Sequence, residues 1–272
     1  MHRQLRREVT TTTTTAPGTL AGRHPLIFFF VLTYAISWPF WLLASQLDGN
    51  LRTLLIVIGG FGPMTAAAVT IRRSGGSLRE WARRVVHWRV PVRYYLYALG
   101  LPLLIMLVMN LALAALGQQP TWSSLLDRAP AYLQTFMLTA VIFGGQEEPG
   151  WRGFALPRLQ SRRSPMVATL ILGLAWGVWH VPLYGPAGFV VPLVLAFFYT
   201  WLYNKTNSIL LCILLHASFT PAQDHLLLTA DSPVVDAVLL GTYVAAAVIV
   251  IAASRGRLGL SRRTAEAGRS EP

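Results

Sequence analysis

Phe143-Gly-Gly-Gln-Glu147-Glu148-Pro-Gly-Trp-Arg152 closes an apolar run that begins near Tyr132. Two adjacent carboxylates at the end of such a run are costly if the run lies in a bilayer. An Asp, Glu or Arg at the centre of a membrane helix costs roughly 2.5 to 3.5 kcal/mol on insertion scales, so acids kept at depth point to function. The nature of the chain around this stretch therefore decides how it is to be read.

Of the 272 residues, 54% are hydrophobic and 12% charged. A soluble domain carries about 25% charged residues, so this composition is that of a membrane protein. The net charge of +12 would suggest nucleic acid as the partner of a soluble chain. Here the arginines fall in the gaps between apolar runs, which excludes nucleic acid and makes the lipid bilayer the partner. Basic residues are nearly all Arg, Lys205 being the single lysine, a bias that suggests GC-rich coding and says nothing about chemistry; the expected location is a bacterial plasma membrane. Cys212 is the one cysteine and gives neither a disulfide framework nor a Cys-rich metal site.

About 20 apolar residues cross a 30 Å hydrocarbon core. By that measure 25–47, 54–71, 94–116, 131–148, 165–183, 189–203, 208–225 and 235–253 are spans, an all-α polytopic bundle of about eight transmembrane helices. The basic gaps are the first tail, the loop of Arg72 to Arg93, the loop of Arg152 to Arg163, Lys205, and the tail from Arg255. They alternate with gaps poor in base, the first of which carries Asp48 with Arg52; Asp127, Asp224, His225, Asp231 and Asp236, at or near span ends on that side, read as boundary residues. Positive-inside then puts both termini in the cytoplasm. Residues 1–23, with a Thr10 to Thr15 tract, and 255–272 read as disordered basic tails around a single membrane domain, 24–254. Within the first basic loop, Ser77 to Trp88 has Leu78, Trp81, Val85 and Trp88 at helical spacing, a short interfacial helix.

Few ionisable groups remain at depth: Glu147 and Glu148 in the fourth span, His180 in the fifth, His216 in the seventh. Polar groups on separate membrane helices face the bundle interior, where they meet one another or a water-filled cavity. Two chemistries suit this set. Glu147, His180 and His216 make a His₂Glu ligand set for a divalent metal such as zinc. Without a metal, a carboxylate in an apolar pocket acts as general base on water. Each group also has a plain structural use, a buried His as an interhelical hydrogen-bond partner and the acids as interfacial residues. Spacing of four pairs Glu148 with Arg152 as an intrahelical ion pair, leaving Glu147 for chemistry. The same spacing sets Trp176 one turn from His180, and Thr220 one turn from His216, where its hydroxyl can serve the imidazole or a bound carbonyl oxygen.

These residues carry a resemblance. Glu147-Glu148-Pro-Gly-Trp-Arg152 resembles the Glu-Glu-x-x-x-Arg motif of the CAAX prenyl protease 2 and bacteriocin-processing intramembrane proteases. Trp176-Gly-Val-Trp-His180 is similar to that family's Phe-x-x-x-His motif, with Trp for Phe. Tyr203-Asn-Lys-Thr206-Asn-Ser208, leading to His216, is similar to its Tyr-x-x-Thr-x-Ser run before the last histidine; four residues on, Thr220 stands where the family has Asn. The resemblance implies an intramembrane endopeptidase acting on a peptide or membrane-protein substrate. Glu147 would activate the water, helped or coordinated by His180 and His216, with Glu148 and Arg152 in support. The competing readings are a non-catalytic membrane protein of the same fold that binds another membrane protein, and a proton-coupled transporter. One tension is geometric, since His180 lies roughly 22 Å along a helix that starts at Pro165, while Glu147 is expected nearer the basic side.

Overall fold

The computed structural model describes residues 20–230 and 232–260. Asp231 and most of both tails lie outside that range; Leu20–Arg23 forms a helical turn at the inner edge of the first tail. All regular structure among the described residues is helical. The long helices are α1 (Pro25–Ala44), α2 (Gly49–Gly60), α3 (Gly62–Arg73), α5 (Val92–Ala115), α6 (Leu125–Val141), α8 (Pro165–Tyr184), α9 (Val190–Thr206), α10 (Ile209–Leu226) and α11 (Pro233–Ala253), with short helices α4 (Leu78–Val85) and α7 (Leu156–Gln160) between them.

Local chemistry sets the starts. Pro occupies the first turn of α1, α8 and α11, where its missing N–H costs nothing and its fixed φ suits the helix. Ser164, Ser208 and Ser232 each accept a hydrogen bond from the backbone N–H three residues on, as side-chain caps do. Ser77 caps α4 in the same way through Glu80 N–H. At the carboxyl end of α9, Asn207 takes the left-handed conformation, φ 50°, which stops the helix.

Among the described residues six segments are long and apolar enough to cross a membrane: 25–44, 49–73, 92–115, 165–184, 186–206 and 233–253. They match six of the eight expected spans, α2 and α3 together forming one. The other two expected spans correspond to α6 and α10. α10 packs against α5, α6 and α9 and buries His216 together with Leu211, Leu215, Phe219 and Ala222. Outward-facing positions of the flanking helices are apolar, including Leu103, Leu107 and Leu111 on α5 and Val244, Val248 and Ile249 on α11, the surface a bilayer requires.

Successive crossings gather the connections at two ends, and hydrogen bonds tie each end together. At the arginine-rich end, Arg84 Nη1 donates to the Tyr203 hydroxyl (3.0 Å) and Ser208 Oγ to the His87 carbonyl (2.6 Å). At the base-poor end, Thr121 N–H donates to the Leu228 carbonyl (2.9 Å), and Arg128 Nη1 to the carbonyls of His225 and Leu227.

Candidate active site

The fourth expected span is not one continuous helix to Glu148. α6 stops at Val141, and after Ile142 and Phe143 the chain re-enters the core as a 3₁₀ turn (Gly145–Glu147), a single α turn (Glu148–Gly150), a π turn (Trp151–Ala155) and α7. The break has a residue-level cause. Gly144 adopts φ 151°, a region closed to side chains. Its N–H donates to Gln146 Oε1 (2.7 Å), and a Cβ there would stand 2.5 Å from His216 Nε2. Gly150 is held as closely, since its Cβ would lie 2.5 Å from the Pro63 backbone carbonyl. Every residue from Gly144 to Leu156 is buried. A π turn inside such a segment is a frequent mark of a functional site.

The two glutamates diverge. Glu148, with no exposed surface, accepts from Arg152 Nη1 (3.0 Å) and from His216 Nδ1 (2.9 Å), both on Oε1. The ion pair expected from spacing is therefore present. The Arg152 guanidinium lies 4.1 Å from the ring centroids of both Trp176 and Tyr199, so cation–π attraction on two faces helps replace its lost hydration. A carboxylate oxygen accepts, so the hydrogen of this bond is carried by His216 Nδ1.

Glu147 turns the other way. Its Oε2 accepts the indole N–H of Trp176 (2.8 Å), and it lines a cavity of about 330 Å³ with Gln146, His180, Thr220 and Asp224. His180 Nδ1 meets the Trp176 carbonyl at 2.9 Å; a carbonyl only accepts, so this ring too is protonated on Nδ1 with Nε2 left as acceptor. Trp176 is thus the hub. Its ring centroid is 5.6 Å from that of His180 and 5.8 Å from that of His216, and it touches Glu147 and Arg152 besides.

The broken helix resolves the depth tension. Glu147 is bonded to Trp176, roughly 16 Å along α8 at 1.5 Å per residue, so the re-entrant segment carries it to mid-depth, one turn from His180. Of the site residues read from sequence, Glu147, His180 and Thr220 share the cavity, while Glu148, Arg152 and His216 form a buried cluster behind it. Trp176 joins the two groups. Among the described residues no hydrogen bond links Thr220 to His216, and no group of three or more His, Cys, Asp or Glu side chains stands arranged to hold a metal ion. Glu147, His180 and His216 as disposed do not fit a three-donor site, because His216 Nε2 looks onto Gly144 rather than into the cavity.

Four residues were not singled out from sequence as site members. Asp224 read as a boundary acid, yet it follows Thr220 by one turn on α10 and shares the cavity wall; the i, i+4 spacing was the available signal. Gln146 pins Gly144, Tyr199 covers Arg152, and Trp81 Nε1 donates to the Pro149 carbonyl (2.9 Å). No spacing rule connects these last two to the site, since their contacts are set by helix packing.

Comparison with known proteins gives two likenesses. Residues 129–220 match the family model described as Type II CAAX prenyl endopeptidase Rce1-like. The chain is also similar to CAAX prenyl protease 2 of Methanococcus maripaludis, 25% identical over 259 residues covering 82% of this chain and 92% of the relative. The resemblance carried by the three motifs is borne out, for the matched stretch runs from within α6 to Thr220 and contains all three. Both likenesses are to peptidases, and the six apolar crossings make the chain an integral multi-pass membrane protein.

Proposed function

We propose that this chain is an intramembrane endopeptidase, working in a bacterial plasma membrane, in which Glu147 activates a water for attack on a peptide bond of a membrane-associated substrate. The observation that carries the reading is the division of labour between the two acids. Glu148 is spent on Arg152 and His216, whereas Glu147 has Oε2 fixed by Trp176 and faces a cavity beside His180.

In this mechanism Glu147 takes one proton from water as the oxygen bonds to the peptide carbonyl carbon. His180 Nε2, a free acceptor, holds the water's second hydrogen and so aims its lone pair. The Thr220 hydroxyl donates to the oxygen on which charge develops. The tetrahedral intermediate then breaks its C–N bond as Glu147 returns its proton to the leaving nitrogen. Burial of the site keeps the donors fixed and bulk water out, where electrostatic stabilisation is strongest.

No step runs through a metal, because the donors present do not form a ligand set. The relative's name speaks of a prenylated CAAX terminus; for this chain the proposal extends to a peptide bond presented at the membrane. The test is digestion of a membrane-anchored peptide library by the purified protein in lipid vesicles, in ¹⁸O-labelled water. One ¹⁸O per new carboxyl terminus, with a rate that persists in EDTA, is expected. Products without the label, or none at all, refute the reading.

A further inference from the structure

The cavity at Glu147 is acidic and holds no side-chain cation of its own. Among the described residues its wall carries two carboxylates, Glu147 and Asp224, the His180 imidazole, and neither Lys nor Arg. The remainder, including Thr135, Leu138 and Thr139 from the middle of α6, is uncharged. Glu147 is engaged by Trp176 and by the proposed chemistry. Asp224 is exposed and unpaired, since both salt bridges among the described residues belong to Glu148. The basic groups near it are committed elsewhere. Arg128 Nη1 donates to the carbonyls of His225 and Leu227, and His225 Nε2 is bonded with the Thr135 hydroxyl (2.8 Å).

Position ties this acid to the reaction. Asp224 follows Thr220 by four residues on α10, and Tyr184 follows His180 by four on α8, an advance of about 6 Å along each helix. Both helices start at the arginine-rich end, α8 just after Arg163 and α10 just after Lys205. The two advances therefore run the same way, each one turn beyond a group that handles the water or the oxyanion. An extended peptide rises about 3.3 Å per residue, so Asp224 and Tyr184 face a side chain about two residues from the cleaved bond. Tyr184 stacks on His180, with ring centroids 5.6 Å apart and 27° between the planes. It is nevertheless 64% exposed, which leaves ring surface for a ligand. A carboxylate and an aromatic ring together suit a cation, the one by its charge and the other by its quadrupole.

We infer that Asp224 and Tyr184 form a subsite for a cationic side chain, Lys or Arg, about two residues from the peptide bond cut at Glu147. The subsite's place in the sequence of a substrate rests on the proposed peptidase reading, which fixes where that bond lies. A cleft lined by charge of one sign concentrates the opposite charge and repels its own, so a substrate acid at this position is excluded as a base is drawn in. Thr220 and His180 serve the carbonyl oxygen and the water, groups common to every peptide. Choice among peptide sequences falls to the pair one turn away.

The test uses the full-length protein in phosphatidylcholine vesicles and palmitoylated peptides identical except at one position. That position is walked along the peptide and carries Arg, its neutral analogue citrulline, or Glu, and kcat/KM is measured for each. Wild type should favour Arg over citrulline about ten-fold within two residues of the cut, with Glu the poorest, and the preference should shrink at about 1 M salt, where screening acts within roughly 3 Å. Asp224→Asn should bring Arg and citrulline within about two-fold of each other, and Asp224→Lys should favour Glu over Arg. Each ratio is internal to one variant, so a general loss of activity cancels; Tyr184→Leu, expected to narrow the Arg preference, stands in if the Asp224 variants fail to fold. Equal rates for Arg and citrulline in wild type, or an Arg preference that survives in Asp224→Asn, overturn the inference. If wild type cuts none of the peptides, the peptidase reading fails, and the same ratios are read as Kd for the peptides on the protein, where Arg and citrulline binding equally would overturn the subsite as well.

Discussion

The Trp176 indole donates its N–H to Glu147 Oε2 over 2.8 Å while its carbonyl accepts from His180 Nδ1 over 2.9 Å. One residue thereby fixes both the carboxylate and the imidazole tautomer beside the cavity. Trp176→Phe keeps a ring against Arg152 and removes the N–H. A hydrogen bond to a charged group is worth about 1.5 to 3 kcal/mol, so kcat should fall about ten- to a hundred-fold. Thermal unfolding in detergent should shift by only a few degrees; an unchanged kcat would dismiss Trp176 as the orienting residue.

Arg152 is expected to matter for stability first. Arg152→Ala leaves Glu148 buried beside His216 with its charge uncompensated, a loss on the order of 3 to 5 kcal/mol. Lys should not substitute, because the flat guanidinium fits between two rings as an ammonium does not. Replacing both charges, Glu148→Gln with Arg152→Met, should restore part of the loss in a thermal unfolding measurement. Equal destabilisation of the double and single variants would contradict the pairing.

Gly144→Ala tests the break in the chain. The substituted residue must hold φ near 151° and place Cβ against the His216 imidazole, and backbone strain alone costs about 1 to 3 kcal/mol. Hydrolysis should fall about five- to a hundred-fold by the conversion of 1.4 kcal/mol per decade. Retention of full activity would mean that His216 tolerates displacement.

Thr220 offers the oxyanion test. Thr220→Val removes the hydroxyl at nearly constant shape, and loss of one such donor typically costs 10²- to 10³-fold in kcat, roughly 2.7 to 4 kcal/mol. Thr220→Asn restores a donor and should retain measurable activity. Val and Asn variants of equal rate would remove Thr220 from the mechanism.

Much of this site is readable from residue types alone. Charge scarcity isolates Glu147, Glu148, His180 and His216, and the i, i+4 relation of Glu148 and Arg152 correctly assigns one acid to a salt bridge. What sequence reading does not convey is the course of the chain after Val141. The apolar run reads as one helix carried to Glu148, because Gly144's positive φ and Gly150's approach to Pro63 are tertiary demands without a local signature. The same holds for Trp81, whose spacing marks an interfacial helix but not its hydrogen bond to Pro149. Asp224 gives no such signal, because an acid at a helix end is so readily solvated.

The most direct measurement of the central claim is the rate of cleavage of a membrane-anchored peptide by wild type and by Glu147→Gln, purified and folded to the same degree. Gln keeps an acceptor for the Trp176 N–H and cannot take a proton from water. A general base is worth about 10²- to 10⁴-fold, so the variant should be slower by at least a hundred-fold with its unfolding temperature unchanged. A Glu147→Gln enzyme that cleaves at the wild-type rate would contradict the account.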